Sequence, residues 1–484
     1  MIAHYLIKTA GNDKYNKPID HFQEITPFQI MSMKRIKVSL IAAYALCMTK
    51  IFYGLLIPTI DTFENDLREY QKTRGRMIRN KILFYHRVRN ILWPVEPIHV
   101  EWHPSSRDQR FPSIERRVEI YMGYWYNLPN RSSKPFEYML DDTGDIILHS
   151  HIAAQYNSPE RLAIRKELIL HSPIFFHEEM CKYATSTILN YCEDATLRLL
   201  RVQQRLPNEE LKAPVVTVFG DATLAYPFPT FSKFRLSTLA EETMVLADKG
   251  PMSIISNFNS DRHFGKLGII RKCDTPWYLK KNEAVWRGAM TGGLTKEIDE
   301  ASYYTDAEDE INCIRNHRCH FVLENSGSTL MDVGLTNDAL RLSSPEAHVY
   351  GMQVVKDKYT IKEMLEFKII ISLEGNDVSS GLKWQLLCKS VVLMPPPSFT
   401  SWAMEELLQP WVHYVPIEAD GSDAVKKTRW VIENEDEALK ISERATLFME
   451  DMIYHPEAAT DESLVLEEIM RRYENLWHNI DAKL

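Results

Sequence analysis

Three short apolar runs, each ending at a glycine beside a polar or charged residue, constrain the fold of this chain most. The runs cover residues 214–219, 284–286 and 368–373. The run over residues 214–219 is continuously apolar or β-branched, which is typical of a strand buried on both faces of a parallel sheet. The three run ends are Gly220-Asp221, Arg287-Gly288 and Glu374-Gly375. The pattern therefore predicts an α/β protein built on parallel sheets.

Strand and helix patterns alternate in the second half of the chain. Helices are predicted over residues 361–367, 381–388 and 399–408, and strands over 368–373, 390–394 and 411–415. This alternation indicates a doubly wound α/β domain. The first half repeats it less clearly, with helices over 160–170 and 185–202 and strands over 214–219 and 253–255. We expect two such domains to face each other across a cleft.

The 484 residues suit two ordinary domains with extensions. We predict an N-terminal helical extension, two α/β domains, and a C-terminal helix that packs back on the first of them. Their limits are residues 1–94, 95–270, 271–450 and 451–484. Residues 38–57 are apolar and long enough to span a bilayer, and Lys34, Arg35 and Lys37 precede them as a cytoplasmic flank would. They form either a signal anchor for the secretory pathway (Golgi or endoplasmic reticulum) or an amphipathic or buried helix.

Composition excludes some classes of protein. The net charge of −9 argues against a nucleic-acid partner, which normally requires a basic surface. A nicotinamide-dependent oxidoreductase would need a GxGxxG motif after a strand, and the sequence has none. Seven cysteines do not make a disulfide scaffold in a chain of this size. Cys313 with Cys319, and Cys181 with Cys192, either form disulfides in an oxidising lumen or are buried free thiols.

The strand ends are the candidate binding sites, because ligands of open α/β sheets lie beyond the carboxyl ends of the strands. Glycine lets the backbone approach a ligand, and the amides that follow can face a phosphate. The loop over residues 256–266 carries Arg262 and His263 between the two predicted domains. These two residues contact a substrate, or they are a solvated arginine and a packed histidine.

Two long runs resemble a known family. They are CDTPWYLKKNEAVWRGAMTGG (residues 273–293) and LEFKIIISLEGNDVSSGLKWQLLCKSVVLMPPPSFTSWAMEELLQPWVHYVPI (residues 365–417). Both are similar to the CAP10-type glycosyltransferases of family 90, which include capsule-associated, lipopolysaccharide-modifying and protein O-glucosyl- and O-xylosyltransferases. Weaker similarity covers residues 216–235 and extends forward to about residue 477. The first hundred or so residues match nothing in the family.

The resemblance implies a GT-B-like fold of two Rossmann-type domains facing across a cleft. It also implies inverting transfer of a glucose- or xylose-type sugar from a UDP-sugar to a glycan or protein acceptor, without a metal or other cofactor. Asp221 matches the catalytic base of the first, acceptor domain. The second domain would bind the nucleotide sugar. Its expected donor-binding residues are Arg287, Gly288, Glu374, Gly375, Asp377, Ser379, Ser380 and Lys383.

Each of these roles has a structural alternative. Asp221 is otherwise a turn or helix-capping aspartate, and Arg287 is otherwise a partner in a salt bridge. Glu374 and Asp377 bind ribose or sugar hydroxyls, or cap the following helix. Protein O-glucosyltransferases of the family carry an arginine two residues before Lys383, where this chain has Gly381, so Lys383 replaces that arginine or only covers its helix. The alternative for the whole chain is a catalytically inactive relative that binds glycans or a partner.

Overall fold

A computed structural model describes part of the chain. The described residues are 107–127, 136–140, 146–148, 174–176, 189–205, 213, 215–220, 228–237, 253–258, 260–292, 309–336, 342–344, 346 and 348–479. The predicted N-terminal extension, with its candidate anchor at residues 38–57, lies outside them. So do the helix predicted over residues 160–170 and the candidate base Asp221.

The described elements alternate between helix and strand over much of the chain. The helices are α1 Arg107–Arg110, α2 Ile114–Met122, α3 Leu189–Arg205, α4 Ser260–Phe264, α5 Leu267–Cys273, α6 Asp309–Arg315, α7 His317–Asn325, α8 Ile361–Met364, α9 Leu382–Leu387, α10 Ala424–Glu433, α11 Glu435–Ile453 and α12 Ala458–Glu474. The strands are β1 Phe136–Leu140, β2 Ile146–Leu148, β3 Ile174–Phe176, β4 Val215–Thr217, β5 Phe231–Ser232, β6 Phe234–Leu236, β7 Ile254–Ile255, β8 Lys281–Gly288, β9 Met331–Leu335, β10 His348–Val349, β11 Met352–Gln353, β12 Phe367–Ile371, β13 Val391–Met394, β14 Phe399–Ser401, β15 Val415–Pro416 and β16 Trp477–Asn479.

A five-stranded sheet organises the second half, in the order β15-β13-β12-β8-β9. All of its neighbouring strands pair in parallel. The central residues of β8 and β12 are apolar because both faces are covered: Trp286 and Ile369 pack into one apolar cluster, and Val285 and Ile370 into the other. The predicted α/β class with a parallel sheet is confirmed for this part of the chain.

A mixed four-stranded sheet lies in the first half, in the order β3-β4-β5-β7. Its last three strands are parallel and β3 is antiparallel to β4. The C-terminal helix α12 packs beside it: the Tyr473 hydroxyl accepts a hydrogen bond from the Val216 amide (3.1 Å), and the Tyr473 ring lies 4.7 Å from that of Phe231. Smaller sheets have the orders β16-β1-β2, β14-β6 and β10-β11.

One apolar cluster is shared by the two larger sheets. It contains Val216 and Phe231 of the four-stranded sheet together with Ile370 and Val392 of the five-stranded sheet. Burial of this common cluster fixes the two sheets against each other.

The helix predicted over residues 399–408 is wrong. Residues Phe399–Ser401 form β14, which pairs antiparallel with β6, and only Glu405–Leu407 form a short 3₁₀ helix. The Glu405 carboxylate accepts a hydrogen bond from the Ser401 amide (2.7 Å), so this backbone is bound into the fold in an extended form. Tertiary pairing overrides the local preference for a helix here.

The structure also bears on the predicted cysteine pairing and on membrane-spanning helices. Cys313 and Cys319 form a disulfide and Cys192 is also disulfide-bonded, while Cys273 and Cys388 are free. Among the residues that the structure describes, no helix is long and apolar enough to cross a membrane.

Candidate functional site

Two loops leave the carboxyl edge of the five-stranded sheet side by side. The β8 loop, residues 289–292, follows β8, and the β12 loop, residues 372–380, follows β12. Because β8 and β12 are parallel neighbours, both loops extend from the same edge. Ligands of open α/β sheets bind beyond this edge, which makes it the candidate site.

Arg318, in the first turn of α7, joins the two loops. Its guanidinium donates to the carbonyl oxygens of Ala289 (3.1 Å), Leu373 (2.8 Å) and Glu374 (2.9 Å), and to Thr291 Oγ1 (2.7 Å). Burial lowers the pKa of Arg318 to about 10, against the opposing effect of the nearby carboxylates, so the side chain remains charged at neutral pH. Arg318 was not predicted from the sequence because it lies on a helix and not at a strand end.

The two loops also approach each other through glycines. The Gly292 amide donates to Asn376 Oδ1 (2.9 Å), and Gly292 has φ of +89°. A Cβ atom at Gly375 would lie 2.8 Å from Thr291 Oγ1 and 2.9 Å from the Arg318 guanidinium. Glycine is therefore required at both positions, one for its backbone conformation and one for close contact.

The segment that carries Arg318 is itself anchored on both sides. Asn316 caps α7 by accepting from the Arg318 and Cys319 amides (both 3.1 Å), and its Nδ2 donates to the Gly292 carbonyl (2.9 Å). His317 Nε2 donates to the Glu374 carbonyl oxygen (2.7 Å). The disulfide between Cys313 and Cys319 closes this segment into a short loop.

Glu374 is half-buried in the β12 loop. Its carboxylate accepts hydrogen bonds from the amides of Ser398 and Phe399, each 3.1 Å from Oε1. Burial raises the pKa of Glu374 to about 7, although these amides act in the opposite direction. The carboxyl group therefore holds the segment after β13 in place and titrates near neutral pH.

Asp377 links the two larger sheets. Its carboxylate forms an ion pair with Lys233, which lies in the turn between β5 and β6 and is almost fully buried. The Lys233 ammonium also lies 5.7 Å from the centre of the Tyr191 ring. Residues of both halves of the chain thus meet at the candidate site.

Arg287 does not extend beyond the sheet edge. Its guanidinium donates to Asp332 Oδ1 and the Asp332 carbonyl (both 2.8 Å) and lies 4.2 Å from the centre of the Tyr359 ring. Asp332 stands opposite Val285, so the guanidinium points back along the sheet. Its side chain is 4% exposed. The geometry favours the salt-bridge alternative, and a phosphate contact by Arg287 stays a prediction.

Lys383 is also held within the protein. Its ammonium group donates to Glu405 Oε1 at 2.5 Å, and the two side chains are 1% and 2% exposed. The geometry again favours the structural alternative, in which Lys383 fixes α9 against the segment after β14. A donor contact by Lys383 stays a prediction.

The remaining predicted donor-binding residues lie on the two loops or next to them. Ser379 and Ser380 are half-buried, and neither hydroxyl has a hydrogen-bond partner within the described part of the chain. Gly288 ends β8, and a Cβ atom there would lie 2.6 Å from the Trp286 ring. The two hydroxyls are therefore available to a ligand, whereas Gly288 is required by packing. Donor contacts by these residues stay predictions.

The predicted loop over residues 256–266 contains α4, which carries both Arg262 and His263. Arg262 is exposed, whereas His263 is 7% exposed. Burial, together with the positive charges of Lys383, Lys233 and Arg262, lowers the pKa of His263 to about 2, so the imidazole is neutral. Gly220 lies at the end of the four-stranded sheet with φ of +96°, and the role of Asp221 stays a prediction.

Residues 269–458 match the model of the family described as Glycosyl transferase family 90. Residues 269–458 are a glycosyltransferase family 90 domain. This domain contains the five-stranded sheet, both loops and Arg318, and the resemblance read from the sequence is confirmed.

Relatives of the family 90 domain include bacterial, animal and viral proteins. The O-glucosyltransferase LpsA of Dichelobacter nodosus is 29% identical over 259 residues, which are 52% of this chain and 64% of that protein. Protein O-glucosyltransferase 1 of Rattus norvegicus is 24% identical over 301 residues, 60% of this chain and 67% of that protein. Uncharacterized protein 035R of Invertebrate iridescent virus 3 is 31% identical over 180 residues, 36% of this chain and 15% of that protein. The chain thus spans less than two thirds of LpsA.

Proposed function

We propose that this chain transfers a sugar from a UDP-sugar to a hydroxyl group of a glycan or protein acceptor, with inversion at the anomeric carbon. The acceptor oxygen forms the new bond to that carbon while the bond to the UDP oxygen breaks. The acceptor proton passes to a carboxylate, for which Asp221 is the candidate. Two O-glucosyltransferases among the relatives make UDP-glucose the first donor to test, with UDP-xylose second.

The observation that carries this proposal is the ion pair between Lys233 and Asp377 at the edge of the family 90 sheet. It joins a turn of the four-stranded sheet to the β12 loop. In a GT-B-like arrangement the nucleotide donor lies on one half and the acceptor on the other, so both halves have to meet at the reacting atoms. We propose that the two larger sheets are these halves.

The departing diphosphate needs positive charge and hydrogen-bond donors. We propose that the charge of Arg318, the amides of the β8 and β12 loops and the hydroxyls of Ser379 and Ser380 supply them without a resident metal. Support comes from the four hydrogen bonds by which Arg318 orders these loops.

We also propose that the protein enters the secretory pathway through a signal anchor at residues 38–57. The disulfide between Cys313 and Cys319 supports an oxidising compartment, because such bonds are rare in the cytosol. Membrane fractionation of the full chain, compared with a variant lacking residues 38–57, tests the anchor. Equal recovery of both forms in the soluble fraction would contradict it.

The activity is tested by measuring UDP release from a panel of UDP-sugars, with and without a chelator. We expect release from UDP-glucose or UDP-xylose that the chelator leaves unchanged. Asp221→Asn should retain UDP affinity and lose transfer, while Asp436→Asn on exposed surface of α11 is the matched control. Binding of UDP without any release would instead support the inactive relative, and turnover by Asp221→Asn would remove that residue from the mechanism.

A further inference from the structure

His263 is buried next to the candidate site and makes no hydrogen bond there. It lies near the end of α4, which contacts α9, and it is 7% exposed. Within the described part of the chain, neither Nδ1 nor Nε2 has a hydrogen-bond partner. Buried polar groups are nearly always satisfied, and leaving one unpaired is costly. Two unpaired nitrogens on one ring therefore require an explanation.

The surroundings of His263 limit what its partner can be. The charged groups that act on the ring are Lys383, Lys233 and Arg262, and all three are cationic. Lys383 is neutralised by Glu405 and Lys233 by Asp377. A second proton on the ring is strongly disfavoured, so His263 offers one N–H donor and one acceptor nitrogen.

A partner that satisfies both nitrogens must donate one hydrogen bond and accept another. A phosphate group accepts but does not donate, so it would leave one nitrogen unpaired. Sugar hydroxyls do both. The charge of Lys233 acts on the ring, and the same lysine pairs with Asp377 of the β12 loop, so the ring lies in the neighbourhood of that loop.

We propose that His263 binds hydroxyl groups of the sugar carried by the nucleotide donor, and thereby helps to select that sugar. The inference rests on the function proposed above. His263 contacts the sugar ring and not the diphosphate, and the sugar hydroxyls satisfy both of its nitrogens when the donor binds.

Paired binding measurements with UDP and UDP-glucose test this assignment, since UDP-glucose adds the sugar while UDP carries a free terminal phosphate in its place. His263→Phe keeps an aromatic ring and removes both hydrogen-bonding atoms. We expect its UDP-glucose affinity to fall about tenfold while UDP affinity is unchanged. Its unfolding free energy should not fall, because an apolar ring replaces an unsatisfied polar one. His263→Gln retains a donor and an acceptor and should recover part of the affinity. His348→Phe, at an exposed position, is the control.

Several outcomes would overturn the assignment. An equal loss of UDP and UDP-glucose affinity would place His263 on the nucleotide. Unchanged UDP-glucose affinity with slower transfer would place it on the acceptor. Unchanged affinity and turnover with lower stability would make it a structural histidine that binds a buried water. If the unmodified protein binds neither UDP nor UDP-glucose, the proposed function fails and the inference fails with it. If the unmodified protein binds both and only the variants are indistinguishable from it, the inference alone is wrong.

Discussion

Mutation of the buried ion pair between Lys383 and Glu405 distinguishes a structural role of Lys383 from a role in donor binding. The ammonium lies 2.5 Å from Glu405 Oε1, and the same carboxylate accepts hydrogen bonds from the Ser401 amide (2.7 Å) and hydroxyl (2.8 Å). Lys383→Met preserves the length of the side chain and removes its charge. It leaves a carboxylate in a site where the two side chains are only 1% and 2% exposed.

The size of the effect follows from the burial of both groups. Removing one partner of a buried ion pair costs about 3–5 kcal/mol, because the other charge is left without compensation. Combining Lys383→Met with Glu405→Gln removes both charges and leaves an amide oxygen to accept from Ser401. The double variant should therefore lie within about 2 kcal/mol of the unmodified protein. A double-mutant cycle consists of the unmodified protein, the two single variants Lys383→Met and Glu405→Gln, and the double variant. It should give a coupling energy between the two side chains above about 2 kcal/mol.

Urea unfolding of the four proteins at neutral pH measures this coupling, and UDP titration of the same samples measures nucleotide affinity. We expect Lys383→Met to lose stability, and the double variant to recover both stability and UDP affinity. If Lys383→Met unfolds within about 0.5 kcal/mol of the unmodified protein but binds UDP tenfold more weakly, the ammonium faces the donor and the structural interpretation fails.

Three further perturbations test other parts of the structure. Folding raises the pKa of Glu374 from 4.5 to about 7, so the native state binds more protons in that window and loses stability as pH rises through it. Glu374→Gln should remove up to about 3 kcal/mol of this pH dependence in urea unfolding; parallel curves for the two proteins would contradict it. Replacing both Cys313 and Cys319 by Ala opens a short loop and should cost about 2 kcal/mol of unfolding free energy in urea. Reductant also opens the Cys192 disulfide and should cost at least as much, so an unfolding transition that reductant leaves unchanged would contradict this. Thr217 is 1% exposed, and its hydroxyl has no hydrogen-bond partner in the described part of the chain. Thr217→Val should therefore raise the unfolding free energy by about 1 kcal/mol in urea. A lower unfolding free energy would contradict this.

Strands β12 and β13 of the five-stranded sheet were predictable from their apolar runs, whereas β9 was not predicted and the strand predicted over residues 411–415 is turn over residues 411–413. The runs over residues 368–373 and 390–394 correspond to β12 and β13 with ends that shift by one or two residues. The segment after residue 399 was not predictable by the same reasoning. Its local composition favours a helix, and only pairing with β6, more than 160 residues earlier in the chain, makes it a strand.

The candidate site was predictable at the level of its backbone but not of its charges. Parallel strands end at a common edge, so the loops after β8 and β12 had to lie close together, although the glycine that meets Gly375 is Gly292 and not the predicted Gly288. The partners of the cations could not be read in the same way, because Asp332 lies 45 residues from Arg287 and Glu405 lies 22 residues from Lys383. A cation at a strand end is therefore a weak indicator of a phosphate site until its carboxylate partners are known.

Arg287, Lys383 and Arg318 differ in whether a carboxylate neutralises them, and this difference predicts how strongly each one affects UDP affinity. Arg287 and Lys383 each contact a carboxylate, and a neutralised pair produces little potential at a distance. Arg318 donates only to carbonyl oxygens and a hydroxyl, and no carboxylate of the described residues lies within ion-pairing distance of it. Asp377 and Glu374 act on Arg318 only without a direct ion pair, so its charge beneath the two loops is less compensated than the charges of Arg287 and Lys383, whether or not it touches the ligand.

UDP affinity should accordingly depend more on Arg318 than on either predicted cation. Arg318→Gln should weaken UDP binding by at least tenfold and Arg287→Gln by about threefold or less, each measured by titration on samples shown to be folded. Arg318→Lys keeps the charge but not the four hydrogen bonds, so its affinity should lie between those of Arg318→Gln and the unmodified protein. If Arg287→Gln instead weakens UDP binding more than Arg318→Gln does, the Arg287 guanidinium leaves Asp332 when the donor binds. Arg287 at the end of β8, and not Arg318, then supplies the positive charge for the diphosphate.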